Sequence, residues 1–264
     1  MSAPYDKPYE HFDSPLMRRL RAQAYGKDIG QHSWVTAEEL LADIPKLNLS
    51  PESRLLDLGC GPAGPLTFIA EQTKCTAVGL DVSANAIDAA RARAASFGLS
   101  ERVSVQQADL NEALPFTAAY FHAVLSIDVI LHLRDRSAAF REVFRVLAPG
   151  GTFLFTDAGV ITGPVSSEEI QRRTPHGYAQ FVPRGINEQL LERAGFQVTG
   201  RTDLTDTLIK SADGRLAARA SRRSELETLE GHSTFDQRQQ YLQTVLTLAE
   251  RGALSRIMYV AKPR

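Results

Sequence analysis

Three aspartates, Asp57, Asp81 and Asp109, each stand at or just past the end of an apolar run, and Asp57 leads into Gly59-Cys60-Gly61-Pro62-Ala63-Gly64. If the runs are parallel strands, the three carboxylates meet outside the carboxyl edge of one sheet, where open α/β sheets bind ligands. Asp81 can then accept hydrogen bonds from both hydroxyls of a ribose, and Asp109 from an adenine amino group. Gly59 and Gly61 remove side chains where the backbone turns and comes close to a ligand. One such aspartate would be read as a helix cap. Three, after consecutive strands and beside a glycine turn, are read as a nucleotide-cofactor site.

A second set follows the fourth strand, in Ser126-Ile127-Asp128-Val129-Ile130-Leu131-His132. If residues 128–132 form one helical turn, Asp128 and His132 share a face at i and i+4. His132 is then a candidate general base or substrate orienter, with a packing or capping role of equal weight. Arg215, Arg219, Arg222 and Arg223 have helical spacing and could meet an acidic substrate. With Glu225, Glu227 and Glu230 nearby, a solvated helix face is the favoured reading.

The elements that must position these groups alternate. Strands are expected at 53–58, 76–80, 103–107, 122–126, 152–156, 196–201 and 256–261. Helices are expected at 64–73, 84–96, 137–147 and 186–194, with Pro149-Gly150-Gly151 as a breaker before the fifth strand. Ser83 caps the second of these helices, and Gly98 stops it. Strands alternating with helices make this an α/β chain with a parallel sheet covered on both faces. Ahead of it, Ser14-Pro15 starts a helix to about Tyr25, and Thr36-Ala37-Glu38-Glu39 reads as a capping box. Between them lies Gln31-His32-Ser33-Trp34, read as a lid loop carrying the only tryptophan of the chain. Residues 206–252 are helix-like, with Tyr241, Leu242, Val245, Leu246 and Leu248 as an apolar stripe.

Composition sets the limits. The chain has 264 residues, 43% of them apolar, which is enough for a large α/β unit with additions. A net charge of −1 offers no field for nucleic acid or an anionic membrane. Cys60 and Cys75 give neither a disulfide framework nor metal-ligand spacing, so no metal is expected and a reducing cytoplasm is. The polar start and the absence of a long apolar run argue against a signal peptide or membrane span.

Gly59-x-Gly61-x-x-Gly64 with Asp81 also fits a dinucleotide fingerprint, so an NAD-dependent oxidoreductase stays open. Against it, Asp57 at the entrance of the turn repels a diphosphate, whereas a sulfonium cofactor with an ammonium group favours a carboxylate there. The ordered set Leu56-Asp57-Leu58-Gly59-Cys60-Gly61, Gly79-Leu80-Asp81-Val82-Ser83, Ala108-Asp109-Leu110 and Leu147-Ala148-Pro149-Gly150-Gly151 resembles the class I S-adenosylmethionine (SAM)-dependent methyltransferases. That resemblance implies a Rossmann-like seven-stranded sheet of order 3-2-1-4-5-7-6, strand 7 antiparallel, with helical cap segments. It implies a SAM-binding core over 35–205 with a cap insertion near 158–185. An N-terminal lid over 1–34, a helical cap over 206–252 and a last strand over 253–264 complete the expected division. Gly59, Cys60 and Gly61 would lie against the cofactor, with Asp57 near its amino-acid end. Asp81 and Val82 would lie at the ribose, Asp109 and Leu110 at the adenine, and Ser126 and Ile127 along the methionine moiety. Gln31, Ser33 and Trp34 resemble a loop closing over the cofactor. Tyr178, Phe181 and His176 would line the acceptor site under the cap. The function implied is methyl transfer to an N, O or C nucleophile of a small-molecule acceptor. A catalytically silent SAM-binding module is the non-enzymatic alternative.

Overall fold

Neighbouring residues of each central strand enter opposite cores, as the two-residue period of a strand requires. Leu55 packs on one face with Leu66, Ile69 and Ala70, while Leu56 and Leu58 pack on the other with Phe140, Val143 and Phe153. The computed structural model describes residue 6, residues 9–174 and residues 178–264. Its strands are β1 (Arg54–Leu58), β2 (Thr76–Asp81), β3 (Val103–Gln107), β4 (Phe121–Ile127), β5 (Leu147–Ile161), β6 (Val182–Pro183), β7 (Phe196–Asp203) and β8 (Leu254–Pro263). They form one sheet of order β3-β2-β1-β4-β5-β8-β7, with β6 paired to β5 alone. The first five are parallel, and β8 runs antiparallel to both β5 and β7. With the two-residue β6 set aside, this is the expected order 3-2-1-4-5-7-6.

Helices α1 (Pro15–Tyr25), α2 (Ala37–Asp43), α3 (Gly64–Thr73), α4 (Ala84–Ser96) and α5 (Arg136–Val146) are joined by α6 (Ser167–Arg172) and α7 (Ile186–Arg193). Three more, α8 (Thr205–Ala220), α9 (Arg223–Glu230) and α10 (His232–Glu250), fill the stretch before β8. Helices α3 and α4 cover one face of the sheet, and α5 and α7 the other. Leu20 of α1, Ala218 of α8, Leu226 of α9 and Phe235 of α10 form a separate apolar cluster. Among the described residues, no helix is long and apolar enough to cross a membrane.

Three local expectations need correction. Strand β5 starts at Leu147, so Pro149-Gly150-Gly151 lies within it, with a register shift opposite Phe121 and Ala123. Residues 128–132 are not one helical turn, because Asp128 sits at φ 58° and only Ile130–His132 form a 3-10 turn. The Thr36 hydroxyl accepts from Glu39 N at 3.1 Å, but the Glu39 carboxylate does not return to close the box. It binds Arg256 instead.

Candidate active site

The glycine turn leaves β1 and is at once tied to β2. Gly59 N and Cys60 N both donate to Leu80 O, at 2.8 and 2.9 Å. Gly61 N donates to one Asp81 carboxylate oxygen at 2.8 Å, and Ser83 N to the other at 2.9 Å. Asp81 is therefore aimed by two backbone amides. Burial raises its carboxyl above the ordinary range, and those amides with that of Val82 pull it back. Gly59 has φ 74°, and a Cβ there would meet Val129 Cγ2 at 2.4 Å. Only glycine meets both demands. A Cβ on Gly64 would meet Gly30 O at 2.2 Å, so the third glycine admits the backbone before Gln31.

A cavity of about 340 Å³ opens over this turn, within the range of small-molecule sites. Of the expected cofactor residues, Asp57, Gly59, Cys60, Gly61, Asp81 and Val82 line it. So do Asp109, Leu110, Ile127, Gln31, Ser33 and Trp34. Ser126 does not line it, because its hydroxyl turns into the sheet and donates to Leu58 O at 3.2 Å. Gln31 lines it but spends its amide on its own loop, accepting from Ile29 N at 2.9 Å and donating to Lys27 O at 3.2 Å. Asp109 accepts from Asn111 N at 2.9 Å and from the Asn111 side chain at 2.8 Å.

Two features of the wall fit a cationic, polar ligand. Asp57 is buried, and burial together with the charge of Asp81 pushes its carboxyl up to about 8. A carboxyl held neutral by its surroundings becomes a strong acceptor once a cation arrives. The Ser33 hydroxyl is buried with no hydrogen-bond partner among the described residues, and Ser33 lines the same cavity. Such an orphaned group calls for a ligand atom.

Asp57 also carries a pH prediction. Its folded value lies above its ordinary 3.8. The stability it contributes is therefore fully present below about pH 4 and lost as pH rises toward 8. Asp57→Asn is expected to flatten that slope in urea unfolding at pH 5, 6.5 and 8 while weakening SAM binding. An unchanged slope would remove the assignment.

His132 lines the cavity, and its Nδ1 lies 3.0 Å from Tyr178 O. A carbonyl only accepts, so Nδ1 carries the proton and Nε2 the lone pair. Burial lowers its pKa first of all, so the ring is neutral at pH 7. Asp128 also lines the cavity but does not share a helical face with His132. Its carboxylate takes Arg256 Nε at 2.8 Å, Trp34 N at 3.1 Å and the Thr156 hydroxyl at 2.9 Å.

The two acceptor-site aromatics expected lie off the cavity. Tyr178 is exposed and Phe181 packs against Leu248, Ala253 and Leu254, so neither lines it. The helices over the site come instead from α1, α8 and α10. His176 lies outside the described residues. Sequence reasoning also missed Tyr9 and Phe12, which line the cavity, with the Tyr9 ring 5.2 Å from that of His32 and tilted against it. Their i, i+3 spacing was the available signal. Asp6, which accepts from the Ser83 hydroxyl at 2.6 Å, gave none.

Residues 56–155 match the family model described as a methyltransferase domain. Methyltransferase GfsG of Streptomyces halstedii is 31% identical over 167 residues, covering 61% of this chain and 59% of that protein. The chain spans between 33% and 59% of the length of the first curated relatives it matches. Among solved structures, the cyclopropane synthase MmaA2 from Mycobacterium tuberculosis has a TM-score of 0.82 at 19% identity, covering 98% of each chain. Phosphoethanolamine N-methyltransferase 2 of Haemonchus contortus, in complex with phosphomonomethylethanolamine and S-adenosylhomocysteine, also reaches 0.82 at 19% identity, covering 100% of this chain and 61% of that one. The methyltransferase-domain match begins inside β1 and ends inside β5, so the chain carries a methyltransferase domain over residues 56–155, built on a sheet wound in this order.

Proposed function

We propose that this chain methylates a small-molecule acceptor at an N, O or C nucleophile, with SAM as donor. The observation that carries the reading is one cavity holding both the acidic glycine turn and a neutral histidine. At its cofactor end, Asp57 and the Ser33 hydroxyl would meet the amino-acid part of SAM. Asp81 would accept from the ribose hydroxyls and Asp109 from the adenine. When bound, SAM supplies an already activated methyl group on a sulfonium. What remains for the protein is to position the acceptor and exclude water.

The chain's own groups can do both. His132 is presented by a fixed backbone, because Gln180 N donates to Leu131 O at 2.7 Å. The buried Arg136 pairs with Asp157 and also donates to Asn187 and to Gln180 O. With Nδ1 committed to Tyr178 O, Nε2 can take a proton from a hydroxyl acceptor. A neutral amine acceptor would need orientation alone. Two buried free cysteines accord with a cytoplasmic location.

His132→Ala is expected to lower turnover of a hydroxyl acceptor by about 10²–10⁴ with SAM affinity retained. In the wild type, the acid limb of kcat/KM should fall below pH 6.5, because burial depresses the imidazole from that value. Full turnover in the variant would remove His132 as base. SAM binding without transfer to any acceptor in a broad panel would favour a silent binding module. Preference for NAD over SAM in a binding titration would overturn the donor assignment.

A further inference from the structure

Charge in the cavity is segregated. The acids Asp57, Asp81 and Asp109 lie at the glycine turn and the following strand ends, and Asp128 shares Arg256 with the buried Glu39. The opposite wall, from α1, α8 and α10, contributes Arg21, Arg215, Arg219 and Arg238 and no acid among the described residues.

Partners decide which of these charges remain unbalanced. Arg21 is matched by Asp28 at 2.8 Å and Asp13 at 3.6 Å. Arg219 and Arg238 share a single carboxylate, that of Glu230, which is itself buried. Two cations on one anion leave one positive charge over. The Nε of the buried Arg219 also has no hydrogen-bond partner among the described residues. Arg215 has no carboxylate within ion-pair distance among the described residues. Its guanidinium stands 4.8 Å over the Trp34 ring and 3.5 Å from His32 O. Two uncompensated positive charges therefore face the same half-enclosed space. The same helices give the wall its apolar part, with Met17, Leu20 and Leu242.

We propose that the acceptor is an amphiphilic anion, its carboxylate or phosphate on Arg215 with Arg219 and Arg238 behind, and its apolar body along Met17, Leu20 and Leu242. The inference rests on the methyltransferase reading for the word acceptor and on the arginines for its charge. A guanidinium fork matches either oxyanion in two hydrogen bonds. The acidic half of the cavity would repel the same group, so the anion also fixes which end of the acceptor faces the cofactor.

Trp34 lies directly under Arg215 and is the only tryptophan, so its fluorescence reports occupancy. Octanoate, octyl phosphate, octanol and octylamine are titrated into the protein saturated with S-adenosylhomocysteine, with calorimetry in parallel. The two anions are expected to bind saturably and octanol and octylamine to bind about tenfold more weakly or worse. The tighter anion identifies the group. Arg215→Met is expected to cost the anion about tenfold or more, Arg215→Lys to restore part of it, and Arg215→Glu to transfer the preference to octylamine. Octanol binding as tightly as both anions, or anion affinity unmoved by Arg215→Met, would overturn the proposal. If S-adenosylhomocysteine itself fails to bind while the anions still depend on Arg215, the cofactor reading fails and the anion site stands. If it binds and the anions do not, the anion site fails alone.

Discussion

Replacing Arg256 with methionine is expected to lower the unfolding free energy by about 3–5 kcal/mol, because it strands two buried carboxylates. Arg256 is fully buried in β8. Its Nη1 donates to both Glu39 oxygens at 2.8 Å, and its Nε to the Asp128 oxygens at 2.8 and 3.1 Å. Burial alone would pull the guanidinium down. Asp128 and Glu39 outweigh that and hold it above its ordinary value. The Glu39 carboxyl is raised by burial in spite of Arg256. Without the cation the Glu39 carboxyl titrates higher still, so the variant's deficit should be smaller at pH 5 than at pH 8. Adding Glu39→Gln and Asp128→Asn to the variant should restore part of the loss. Urea unfolding of the single and triple variants measures both effects. A loss below about 1 kcal/mol at pH 8 would mean that water reaches the site and screens it.

Asp81→Ala is expected to weaken SAM binding by about 10²–10⁴. The estimate takes two ribose hydrogen bonds to a charged acceptor at about 1.5–3 kcal/mol each. The change also frees Gly61 N and Ser83 N, which now donate to that carboxylate. The glycine turn should loosen with it. Calorimetry with SAM and with S-adenosylhomocysteine should show the same loss for both, since they share the ribose. Affinity within about threefold of wild type would move the nucleoside elsewhere.

Where residues act through near neighbours in sequence, the chain could be read directly. Pro62, Gly64 and Pro65 set the start of α3, and Ser83 and Gly98 bracket α4, so both helices lie where expected. The convergence of Asp57, Asp81 and Asp109 follows from a rule about strand ends, and all three line one cavity. Strand β5 was misjudged because Pro149-Gly150-Gly151 and Gly159 look like breakers. In the fold they fall at register shifts of a strand that pairs with β4 on one side and β8 on the other. Asp128 was misassigned to a helical turn because the arginine that claims its carboxylate lies 128 residues away. The reading of the arginine stripe as a solvated face holds for half of it. Arg222 and Arg223 pair with Glu225 and Glu227 near the surface, whereas Arg215 and Arg219 turn inward where α1 crosses. Periodicity gives a helix its faces, but only the partner helix decides which one is dry.

The backbone at Trp34 is held twice, its N–H by Asp128 at 3.1 Å and its carbonyl by the Ser211 hydroxyl of α8 at 2.9 Å. One peptide neighbourhood thus rivets the sheet to the helices above it. For anyone exchanging α8–α10 with those of a relative to change the acceptor, the seam is not at the ends of the transplanted segment. It runs through its interior. A graft that brings an apolar residue to position 211 releases the carbonyl of Trp34 into a buried space, at a cost of about 1–3 kcal/mol, and lets the wall of the cofactor cavity drift. Chimeras that keep a hydroxyl at 211 should remain able to bind SAM whatever acceptor they are built for.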